Sequence, residues 1–130
     1  MITPLLELST IEAITTTCRA VIPDKVFLWD PDGKYLKHHY TNPQAKHFAG
    51  PEKLLGRYIQ EVLPRETGDL VLSVMRVAWL GNNIQFCTIH LPLEGEEYKV
   101  CIRFFPDRHS IIGLVNDFKI PTDPRPAFLP

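Results

Sequence analysis

The chain has 130 residues, of which 45% are hydrophobic and 22% charged, ordinary values for one folded domain with a sizeable core and too apolar for a disordered segment. Its 14 Lys and Arg against 15 Asp and Glu set up no positive field, so neither nucleic acid nor anionic membrane is expected as a partner. No apolar run approaches the ~20 residues that cross a bilayer, and no basic stretch leads into an apolar signal core, which predicts a cytoplasmic protein.

The first element is an amphipathic helix ending before Pro23, with Leu5, Leu8, Ile11, Ile14, Cys18 and Val21 on one stripe. Thr3 with Pro4, or Ser9 with Glu12, can start it. The run Thr15, Thr16, Thr17 weakens its intrinsic stability, so the stripe needs something to pack against. Two antiparallel strands over 26–30 and 34–40 follow, joined through Pro31, Asp32 and Gly33.

In the segment EKLLGRYIQEVLP, the positions Leu54, Leu55, Tyr58, Ile59, Val62 and Leu63 keep helical spacing, yet Gly56 interrupts them. Two short helices explain this, with Gly56 as a left-handed cap and Pro64 closing the second. A longer helix then carries Val71, Val74 or Met75, and Ala78 on one face, with Leu72 and Trp79 beside it and a stop at Gly81 and Asn82. Its valines would also suit a strand. Three strands come next, broken at 94–96 and 106–109. Ile84, Phe86, Thr88 and His90 share one face, and Tyr98, Val100, Ile102 and Phe104 share one on the next strand. The tail, with Pro121, Pro124, Pro126 and Pro130, forms an extended linker.

Little in this chain carries chemistry. Cys18, Cys87 and Cys101 are odd in number, widely spaced and without a CxxC pair, so reduced core thiols are expected rather than a disulfide scaffold or zinc ribbon. His38, His39, His47, His90 and His109 have no metal-ligand spacing, and no metal site is expected. No phosphate loop, nucleophile elbow or dinucleotide fingerprint occurs, and Glu96 with Glu97 reads as solvated turn charge. No catalysis is expected.

The order of two strands, several short helices, a longer helix and three strands resembles the PAS sensor-domain family. The segments VFLWDPDGKYL, LLGRYIQEVLP, IQFCTIHLPLEG, EYKVCIRFF and IIGLVNDF carry the likeness, which spans 24–118. Residues 1–23 stand as an N-terminal helix and 119–130 as a tail or linker. The resemblance implies an α+β fold, a five-stranded antiparallel sheet in the order 2-1-5-4-3 with helices over one face. It implies a sensory module that binds a small molecule or protein partner and signals through dimer or helix packing. A homodimer is expected, with Leu8, Ile11, Ile14 and Cys18 at its interface, and a histidine kinase or nucleotide cyclase is the output domain the family suggests. The cavity between sheet and helices would draw on Tyr58, Met75, Arg76, Trp79, Phe86, Thr88, His90 and Ile102. Of these, His90 is a polar ligand group and Arg76 a carboxylate partner. Plain core packing and solvent exposure compete with these roles.

No cysteine lies between Cys18 and Cys87, which argues against a covalent flavin adduct and a thioester chromophore. No histidine lies between His47 and His90, where haem-binding members place their ligand, so haem is not expected either, and the cofactor stays unidentified. Two other readings remain: a small pocket enzyme with His90 as general base, and a ligand-free dimerisation scaffold.

Overall fold

The computed structural model describes residues 22–45, 47–48 and 50–121. The N-terminal stripe with Leu8, Ile11, Ile14 and Cys18, and most of the proline-rich tail, lie outside the described residues. Strands β1 (Lys25–Trp29) and β2 (Tyr35–Tyr40) are followed by a 3-10 turn (Pro51–Lys53) and the helices α1 (Ile59–Val62) and α2 (Arg65–Gly81). Then come β3 (Gln85–Leu93), β4 (Glu96–Asp107) and β5 (Ser110–Lys119). All five strands form one antiparallel sheet in the order β2-β1-β5-β4-β3, as expected.

Local chemistry sets each turn. Asp30 Oδ1 accepts the N–H groups of Asp32 and Lys34 at 2.9 and 3.0 Å, closing the β1–β2 hairpin with its own side chain. Glu94 and Gly95 both have positive φ, 50° and 86°, the mirror-image turn that matches strand twist and lets Leu93 pair with Glu96. Helix α2 ends on Asn82 in the left-handed conformation, φ 49° and ψ 46°, where Gly81 and Asn82 predict a stop.

Gly56 has φ 82°, a left-handed conformation that glycine adopts without strain. It follows the 3-10 turn and precedes α1, and the chain it redirects docks on the start of β2. Gly56 N–H donates to Tyr35 O at 2.9 Å, Tyr35 N–H to Arg57 O at 2.8 Å, and Ile59 N–H to Gly33 O at 2.9 Å. The glycine thus joins the helical wall to the hairpin.

The main core lies between the inner sheet face and α2, where Val71, Leu72, Met75 and Ala78 meet Trp29, Phe104 and Ile111. The outer face has its own apolar cluster of Val26, Phe105, Ile112 and Leu114. One strand departs from expectation. On β3 the inward residues are Cys87, Ile89, Leu91 and Leu93, while Phe86, Thr88 and His90 point to the exposed face, Phe86 with 76% of its surface free. The pairing fixes this phase, because Cys87 stands opposite the buried Ile102 and Ile89 opposite the buried Val100. It also puts Cys87 and Cys101 on opposite faces, since Thr88 is the residue facing Cys101.

Candidate ligand cavity

Residues whose side chains alternate inward along β1, β4 and β5 leave a gap beneath the helices. The resulting cavity has a volume of about 50 Å³. Phe27, Leu91, Ile102 and Val115 line it from the sheet, Val71 from α2, and Leu54 from the segment ahead of Gly56. A hollow of this size holds a few water molecules, since one needs roughly 10–15 Å³ of such space. Larger contents require the side chains to move. A groove of about 150 Å³ on the outer face, between Leu28, His39 and Ile112, has the larger volume.

Polar groups gather at one end of the inner cavity. Lys25 continues the inward row of Phe27 and Trp29, and its ammonium lies 3.0 Å from Asp117 Oδ2, with only 6% and 5% of the two side chains exposed. Asp24 Oδ2 accepts the Asp117 N–H at 2.8 Å, and its Oδ1 accepts Asn42 Nδ2 at 3.1 Å. The His47 ring lies over the Tyr40 ring, centroids 4.6 Å apart, and the His47 backbone N–H donates to Glu94 Oε2 at 3.1 Å.

Burial pushes the Asp117 carboxyl above its ordinary value by more than Lys25 pulls it down. The Tyr40 hydroxyl is pushed up to about 12, first by burial and then by Asp117 and Glu52. Burial also raises Tyr35, a shift that the neighbouring Trp29 eases. That proximity stops short of a proper hydrogen bond: Trp29 Nε1 is buried with no partner at hydrogen-bond geometry among the described residues, as is His47 Nδ1. The Cys87 thiol, half-buried on the inner face, is pushed up to about 11 by burial and then by Cys101, which marks it as inert core.

Of the side chains expected to line a cavity, Ile102 does so. Met75 is fully buried in the core without lining it, and Trp79 is half-buried at the core's edge. Arg76 is exposed on the solvent side of α2. Tyr58 caps α1, its N–H donating to Glu61 Oε1 at 2.9 Å, and stands outside the cavity. Phe86, Thr88 and His90 are on the far side of the sheet, so His90 can neither reach a cavity ligand nor act there as a base. Sequence reasoning missed Lys25, Tyr40 and His47. Lys25 had a visible signal, a charge two residues before Phe27 in an inward-facing apolar row. His47 had none, because it lies in an irregular segment.

A family model described as the PAS fold matches residues 20–116. The chain belongs to the PAS family. No curated relative matches it. Among solved structures, this PAS domain is similar to a domain of an HTR-like protein from Haloarcula marismortui, with 16% identity and a TM-score of 0.54, covering 74% of this chain and 98% of that one. It is similar to the PAS domain of the Cronobacter turicensis quorum-sensing receptor RpfR in complex with BDSF, with 6% identity and a TM-score of 0.60 over 78% of this chain and 99% of that one. The Vibrio cholerae VqmA dimer, a LuxR-type receptor, is 11% identical with a TM-score of 0.63, over 82% of this chain and 51% of that one. At these identities the likeness is one of fold. No helix among the described residues is long and apolar enough to cross a membrane.

Proposed function

We propose that this PAS domain is a non-catalytic sensory module that takes a small molecule into the inner cavity and signals through dimer or helix packing. A histidine kinase or nucleotide cyclase in the same protein is the output we favour, in the cytoplasm. One observation carries the reading: a hollow with apolar walls, ending in buried polar groups, lies between the sheet and the helices. Small-molecule sites have this composition, predominantly apolar with a few convergent polar groups. The RpfR PAS domain, of the same fold, is known in complexes with BDSF and with C12:0, and VqmA is a dimer, which supports a ligand and a homodimer here.

The small volume also supplies a mechanism. A ligand larger than a few waters enters only if the wall carrying His47, Phe48 and Leu54 gives way. That wall is tied to β3–β4 through His47 and Glu94, and to β2 through Gly56 and Tyr35. Occupied and empty states therefore differ in packing, and a ligand shifts the balance only by binding one state better. Native mass spectrometry of protein purified from its host tests this. A retained small mass is expected, and it should be lost when Val71→Leu and Val100→Ile fill the hollow. An empty species from both, with the downstream response intact, favours the ligand-free scaffold instead.

A further inference from the structure

We infer that helix α2 carries a docking seam for the same helix of a second copy of this chain, the two helices running antiparallel. The inference rests on the homodimer of the reading above and names the face that makes it. Leu70, Val77 and Leu80 leave 48%, 55% and 83% of their surface free. At 3.6 residues per turn they fall, with the exposed Ser73, in an arc of roughly 80°. That arc faces away from Val71, Met75 and Ala78, the buried side of the helix. Single exposed apolar residues are ordinary, but three along one row form a contact surface.

The charged edge of the seam selects its occupant. Asp69 and Arg76, both exposed, lie along one side of it, about two turns apart. Arg76 forms no ion pair among the described residues, and Asp69 accepts Gln60 Nε2 at 3.0 Å through Oδ1 alone. A two-fold axis beside Ser73 sets Leu70 against Val77 of the second copy. On the same edge it brings Asp69 to Arg76 of the second copy, and Arg76 to its Asp69, so one surface answers both of its own charges. Ser73 at the centre is small enough for the backbones to approach. In a parallel pair the charged edge meets Thr67 and Val74 instead, and neither charge finds a partner. One stripe per copy covers less than the roughly 1,000 Å² of a stable interface, so the association is weak and reversible.

Sedimentation velocity of the full chain over a concentration series reads this association. Leu80→Ser should weaken it at least about tenfold and leave the Tm of the dilute chain unchanged, because the side chain is exposed. Arg76→Asp and Asp69→Arg each place two like-charged pairs in the dimer, so each alone should also weaken it about tenfold or more. Mixed in equal amounts, these two variants regain both opposite-charge pairs, and association should return close to the parent's. Leu80→Ser and Arg76→Asp decide the matter even if Asp69→Arg does not fold. A dimer indifferent to Leu80→Ser and to both reversals overturns this face and leaves the homodimer standing, whereas a monomer at every concentration removes both. A mixture of folded variants that does not recover overturns the antiparallel pairing. If residues 1–21 of the same chain cover the seam instead, Leu80→Ser lowers Tm without changing sedimentation, and that result overturns the inference as well.

Discussion

Gly113→Ala is a sharp test of the packing that holds the cavity floor. Gly113 pairs with Phe27 on β1 and Phe104 on β4, and its φ is outside the left-handed region, so glycine is there for room. A Cβ at this position would lie 2.2 Å from Trp29 Cζ3 and 2.5 Å from Cη2, where ordinary contact begins at 3.4 Å. The ring must then retreat by 3.4 − 2.2 = 1.2 Å. It has nowhere easy to go, because Phe27, Tyr35 and Phe104 surround it with centroids 5.6, 5.6 and 5.7 Å away. Overpacking of this kind costs about 1–3 kcal/mol, against roughly 0.4–1 kcal/mol gained from a stiffer unfolded chain. The expected net loss is ~1–2 kcal/mol, a fall in Tm of roughly 5 °C for a domain of this size. Urea and thermal unfolding measure it, and a double-mutant cycle with Trp29→Phe isolates the cause. Phenylalanine lacks the outer indole atoms that the methyl strikes, so the two substitutions should couple by at least ~1 kcal/mol. A variant as stable as the parent, or an additive cycle, would refute the argument that Gly113 exists to seat the indole.

Three further outcomes follow from the site. Lys25→Met strands the buried Asp117 carboxylate and should cost ~3–5 kcal/mol in urea unfolding, whereas Lys25→Met with Asp117→Leu should recover most of that loss. Because burial raises the Asp117 carboxyl above its ordinary 3.8, the folded chain holds this proton longer than the unfolded one. Its contribution is therefore fully present below 3.8 and lost as pH rises through the folded value, so the stability of the parent relative to Asp117→Asn should decline over that window in urea titrations. Gly56→Ala meets open space but keeps a φ of +82°, so it should cost only the backbone strain of ~1–2 kcal/mol, with Gly56→Asn costing less by thermal unfolding.

Most of the fold was legible because its signals are local and redundant. Asp30 to Gly33 carry a turn in their own side chains, Asn82 stops α2 by its tolerance of left-handed backbone, and Gly56 stands out against a helical pattern. The face of α2 that meets the sheet, Val71, Leu72, Met75 and Ala78, follows from spacing alone. Where the Gly56 segment docks was not legible, since the bonds of Gly56 to Tyr35 and of Ile59 to Gly33 join segments that only the folded chain brings together.

The candidate site was harder to read for a specific physical reason. Alternation in a strand has two phases, and a sequence chooses between them only when one row is plainly more polar. On β3 one row holds Phe86, Thr88 and His90 and the other Cys87, Ile89, Leu91 and Leu93, so an aromatic in the polar row blurs the choice. Pairing decides it, because β4 buries Val100 and Ile102 and their partners must share that face. Carrying the Tyr98–Phe104 row across the hairpin would have put Leu91 inward, opposite Tyr98, and moved His90 outward at once. Lys25 shows the converse. A lysine in an inward apolar row signals a buried counter-ion, but Asp117 lies 92 positions along the chain, on a strand that joins β1 only through the sheet. The polar end of the cavity is thus a product of topology: β1 and β5 are neighbours in space because the chain returns to the middle of its own sheet.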